Sequence, residues 1–103
     1  MKGEPIPEEM MFERALKQMR VKIRTRQYVM TVHAEEEMDE DDLTIFDVER
    51  CILTGEIIEK QKDPETKAWK YVVKGHSLSG DGVVTVTKLA PTGKLVIITV
   101  YAE

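Results

Sequence analysis

The chain of 103 residues holds one cysteine, two histidines and six glycines, and each scarcity removes a class of explanation. Cys51 alone cannot form an internal bridge, so no disulfide framework is available, and its place in a helical pattern beside Val48 and Ile52 suits a buried, reduced thiol. There is no glycine-rich phosphate loop, no paired-cysteine zinc pattern and no nucleophile elbow. No apolar run approaches a membrane span, and Met1-Lys2-Gly3-Glu4-Pro5 lacks the cationic-then-apolar order of a secretory leader. These absences lead us to expect a cytoplasmic protein without membrane association.

What is present suits one compact domain over residues 1–103, with 42 % apolar residues to build a core. Net charge is −4, yet it is segregated: residues 1–34 carry seven Lys or Arg against four Glu, and the remaining 69 carry eight against 15 acids. An acidic total disfavours general nucleic-acid binding, because neutralising phosphates supplies most of that affinity.

Phe12, Leu16, Met19 and Ile23 recur at spacings of four, three and four and predict a helix from about Pro7 to Arg26. Lys17, Arg20, Lys22, Arg24 and Arg26 crowd its C-terminal half. They read either as a solvated face complementing the helix dipole or as a strip that follows RNA phosphates. Gln27–Thr31 reads as a short extended segment, and a helix follows in which seven of the eight residues from Glu35 to Asp42 are acids. Thr44 with Asp47 three residues on has the form of a capping box opening a third helix, and Gly55 suits a left-handed C-terminal position.

From Glu56 the period changes to two. Strands are expected at Ile57–Gln61, Ala68–Gly75, Val83–Leu89 and Lys94–Tyr101, joined by turns rich in Gly, Pro and Asp. The expected architecture is therefore α+β, with N-terminal helices on one face of a four-stranded antiparallel meander. Leu95–Val100 is apolar on both faces, which calls for a central position or a covering surface, and a homodimer is one way to supply it.

His33 stands where an extended segment meets a helix start. It is a candidate general acid or base, or simply part of that helix's cap. With Glu36 or Glu37 it has spacings that could hold a cation, a weak signal in so acidic a helix, and no cofactor or metal is assigned. Trp69 and Tyr71 could stack bases or pack in the core, His76 reads as a loop residue, and Tyr101 closes the last strand.

Taken in order, Thr31-Val32-His33-Ala34, Met38, Leu43-Thr44-Ile45-Phe46-Asp47-Val48-Glu49, Gly55-Glu56-Ile57-Ile58-Glu59 and Val96-Ile97-Ile98-Thr99-Val100-Tyr101 resemble domain of unknown function 4258. The resemblance runs from about Tyr28 to Tyr101 and leaves residues 1–27 as an N-terminal extension. It implies a fold similar to the RelE and barnase group of small metal-independent ribonucleases, many of them toxins paired with an antitoxin. On that resemblance His33, Thr99 and Tyr101 are the candidate catalytic residues, and RNA and an antitoxin or other protein are the candidate partners. Many members place arginines four and eight residues after the histidine, where this chain has Glu37 and Asp41. The sign is reversed, so a phosphate would meet carboxylates. Two readings follow: a non-catalytic or degenerate interaction module, and a metal-independent endoribonuclease toxin.

Overall fold

The computed structural model describes residues 6–103, so Met1–Pro5 and the reading placed on them lie outside the described residues. Helix α1 spans Glu8–Arg24, with Pro7 as its N-cap, one residue outside the first turn in which the sequence placed it. It ends two residues early because Arg26 adopts φ 57°, and Gln27 N donates to Lys22 O while Arg26 N donates to Ile23 O. That pair of bonds is the Schellman stop, here formed without glycine.

The sheet corrects the expected architecture. It has five strands in the order β1-β5-β4-β3-β2, and it is mixed: β1 (Tyr28–Met30) runs parallel to β5 (Leu95–Ala102), with Val29 opposite Val96. The four-stranded antiparallel meander is real only for β2 (Glu56–Lys62), β3 (Trp69–His76), β4 (Gly82–Leu89) and β5. The extended segment read at Gln27–Thr31 is β1; three residues of alternation give no partner, so its parallel place in the sheet was not legible. Its addition places β5 between two strands over Leu95–Ile97, the central position its apolar character called for, while Val96 and Ile98 on the outer side stay partly exposed.

Helices α2 (Val32–Glu40) and α3 (Ile45–Thr54) follow β1. Leu16, Met19 and Ile23 of α1, Ala34 of α2, and Val48, Cys51 and Ile52 of α3 share one core with Ile57, Val73, Val83, Leu95, Ile97 and Val100 of the sheet. The N-terminal helix outside the family-like segment is thus built into that core. Strand β5 carries a bulge, since Val86 faces Thr99 and Thr87 faces Ile97, leaving Ile98 extra. The bulge shifts the phase, so Val100 joins Leu95 and Ile97 in the core instead of sharing the outer face with Val96, as plain alternation predicts.

The capping box forms as expected: Asp47 N donates to Thr44 Oγ1 and Thr44 N donates to Asp47 Oδ2 at 2.8 Å. Gly55 does not take the left-handed position; its φ is −89° and ψ −164°. Its reason is proximity, because a Cβ there would lie 2.4 Å from the carbonyl oxygens of Cys51 and Lys74. Gly75 on β3 meets the same limit, 2.4 Å from Cys51 O. The two glycines let the end of α3 lie directly against the β2 and β3 backbones.

Candidate functional site around His33 and strand β5

Thr31 begins the site because its hydroxyl works in two directions. Its Oγ1 accepts from Ala34 N at 3.1 Å, capping α2, and donates to Ile98 O at 2.9 Å, tying the helix start to β5. Thr31 N also donates to Ile97 O at 3.0 Å, the last backbone bond of the β1 edge. His33 consequently sits in the first turn of α2, as the sequence placed it, with its side chain 66 % exposed. Its Nε2 lies 3.2 Å from Glu37 Oε1, one helical turn on.

Glu37 has a second partner. The same Oε1 accepts from Val100 N at 3.2 Å, and Asp41 Oδ2 accepts from Ala102 N at 2.8 Å. Where β1 stops, α2 continues along the edge of β5 and supplies carboxylates in place of a neighbouring strand's carbonyls. Four residues of helix advance roughly 6 Å and two residues of strand roughly 6.8 Å, so acids spaced i, i+4 match alternate N–H groups. Glu37 and Asp41 thus hold the sheet edge. That i, i+4 spacing was visible in the sequence; the strand it would meet was not.

Thr99 and Tyr101 fall on the sheet face opposite the helices, across from Val86 and Val84. By alternation Lys88, Lys70 and Lys74 share that face; Lys70 Nζ lies 3.6 Å from Asp63 and Lys74 Nζ 3.3 Å from Glu103. Val100, whose N–H faces Glu37, sits between Thr99 and Tyr101, so His33 is linked to this stretch of β5 through Glu37 while Thr99 and Tyr101 face the other side of the sheet. No cavity described among these residues is lined by His33, Thr99 or Tyr101; the largest, about 480 Å3, lies by Gln18, Val21, Lys22, Leu89 and Gly93. Among the described residues no group of three His, Cys, Asp or Glu could hold a metal ion.

The five candidate RNA-binding cations do not form one strip. Arg20 turns inward, donating from Nε to Ile52 O at 3.1 Å and from Nη2 to Gly55 O at 2.8 Å, where it closes the C-terminal end of α3. Lys22, two residues on and roughly 200° around the helix, donates to Gln27 Oε1 at 3.1 Å. Lys17, Arg24 and Arg26 are exposed. Tyr71 packs against the core, as one of its two readings proposed, whereas Trp69 is 43 % exposed.

Three groups on β1 and α3 have displaced pKa values. Burial, with the 2.6 Å bond its hydroxyl donates to Glu49, pushes Tyr28 up to about 12. Burial raises Cys51 to about 11, its Sγ set against Val83 O at 3.3 Å. Backbone N–H groups of Thr44 and Leu78 hold the Asp47 carboxyl below the usual carboxylate range.

No helix of the described residues is long and apolar enough to cross a membrane. The family model described as domain of unknown function (DUF4258) matches residues 30–102, within two residues at either end of the span marked by the sequence motifs. The chain matches no curated protein and no solved structure, and nothing in these comparisons links it to the RelE and barnase ribonucleases. A match that takes in α2, α3 and all of β2 to β5 covers most of the chain, which therefore belongs to the DUF4258 family.

Proposed function

We propose that this chain is a non-catalytic interaction module that binds a protein partner. The observation that carries the reading is the double engagement of Glu37, whose Oε1 lies 3.2 Å from both His33 Nε2 and Val100 N. An imidazole serving RNA cleavage needs a phosphate beside it, and the carboxylates of Glu37 and Asp41 repel one. Those acids are engaged by the sheet edge, and swinging away would break the bonds they accept from Val100 N and Ala102 N. Arg20, the innermost of the candidate cations, is likewise occupied with α3.

Purified protein incubated with single-stranded RNA, with and without chelator, tests this reading. The expected result is no cleavage above buffer; cleavage that disappears in His33→Ala would overturn it.

One observation favours the alternative, a metal-independent endoribonuclease toxin countered by an antitoxin. Thr99 and Tyr101 share their face with Lys70, Lys74 and Lys88, an arrangement able to contact ribose and phosphate. Two of those lysines already face a carboxylate, which leaves Lys88 as the cation for that role among the described residues.

A further inference from the structure

Strand β2 forms the outer edge of the sheet opposite β1, and among the described residues its backbone bonds only to β3. Helix α1 meets it at its start, where Phe12 and Leu16 line a cavity with Ile57. Past the bulge at Ile58, residues Glu59–Lys62 run in regular register beside Trp69–Val72 and stay open on the far side. Lys60 and Lys62 lie on one face, and their Nζ atoms stand 4.5 and 5.5 Å from the centroid of the Trp69 ring. Neither has a carboxylate within ion-pair distance among the described residues, although the chain as a whole is acidic.

We propose that this edge is the docking site for an acidic, extended segment of a protein partner, added as a sixth strand beside β2. The proposal rests on the interaction-module reading and names where the partner binds. An added strand satisfies the free backbone groups of Glu59–Lys62. Side chains on one face of a strand recur every second residue, so carboxylates at alternate positions meet Lys60 and Lys62 together. An apolar residue beside them covers the exposed indole. RNA fits less well, because it carries a charge at every nucleotide and Glu56, Glu59 and Glu65 lie along the same hairpin. A second copy fits less well too, since lysines on an open edge discourage pairing with an identical edge.

Trp69 is the only tryptophan, so its emission reports on this edge alone. The probe is an end-blocked octapeptide of alternating Glu and Val, compared with its Lys–Val counterpart, with a form N-methylated at alternate amides, and with oligouridylate. The Glu–Val peptide is expected to change Trp69 emission saturably. Binding should weaken at least tenfold in the Lys60→Glu, Lys62→Glu double variant and in the N-methylated peptide. Should the double variant fail to fold by circular dichroism, Lys60→Gln with Lys62→Gln replaces it, again with a loss of at least tenfold. No saturable response, an equal response to the Lys–Val peptide, indifference to N-methylation, or tighter binding of oligouridylate would each overturn the proposal. Self-association of the wild type that the double variant abolishes would also overturn it, by assigning the edge to a second copy. A silent titration without RNA cleavage ends only this proposal, whereas His33-dependent cleavage ends the interaction-module reading.

Discussion

At the scale of single residues, the same side chain repeatedly serves a neighbour that the sequence does not reveal. Cys51 was legible as a buried thiol, and the structure adds a reason to expect slow reaction: full burial, which also raises its pKa to about 11, keeps the thiolate scarce at neutral pH. Its reaction with a thiol reagent should therefore be at least tenfold slower in native protein than in denaturant, read by absorbance. Asp47 was legible as a cap but not as the acceptor for Leu78 N at 2.9 Å, because the loop that brings Leu78 lies 31 residues away. Its folded pKa is depressed, so its contribution to stability is fully present above the unfolded value of about 4 and is lost as pH falls through the lower folded value. Asp47→Asn should accordingly cost about 1–2 kcal/mol at pH 7, and the cost should shrink steadily as pH is lowered below about 4, measured by urea denaturation across that range. The position of His33 at a helix start was legible from Thr31 to Ala34, whereas its link through Glu37 to Val100 depends on a strand 63 residues downstream of that acid.

Among elements, helix ends were where local rules and tertiary packing diverged. The glycine rule assigned a left-handed stop to Gly55, yet the left-handed stops are Arg26 at φ 57° and Asp42 at φ 55°, and Gly55 is extended. Leu43 N donates to Met38 O and Asp42 N to Asp39 O, so α2 ends in a Schellman motif with an aspartate in the strained position. Asp42→Gly should raise stability by about 0.5–1 kcal/mol in thermal or urea unfolding, because glycine takes that conformation without the Cβ clash. Gly75→Ala should act in the opposite sense, costing about 1–3 kcal/mol, since its Cβ would enter the backbone of Cys51 and no flexible side chain can yield. The capping box and the four meander strands were readable because their signals are local: Thr44 with Asp47, and turns at Asp63-Pro64, Gly80 and Gly93. Strand β1 was readable as an extended segment, but its parallel pairing with β5 was not, because the partner lies 67 residues on.

For the molecule as a whole, α1 decides whether the family segment is self-sufficient. Met19 is fully buried and accepts the Thr87 hydroxyl at 3.1 Å on its sulfur, while Leu16 and Ile23 complete its contact with the sheet. Met19→Ala should cost about 2–5 kcal/mol in urea denaturation, a large share of a small domain's stability, although residue 19 precedes the family match at 30. Helix content and the existence of one core were legible from spacing and composition; the mixed sheet was not, because parallel pairing joins two segments 67 residues apart that no local pattern connects. The sheet's two edges are finished differently: β2 is left open with lysines, and β5 is closed first by β1 and then by the acids of α2. The second arrangement is what sets those acids along β5, and amide hydrogen exchange tests it most directly. In Glu37→Ala with Asp41→Ala, the Val100 and Ala102 amides should exchange about tenfold faster or more, with Val84 and Ile97 unchanged. Exchange at Val100 and Ala102 that stays at the wild-type rate would show that the carboxylates are free of β5, and the account of this site would fail.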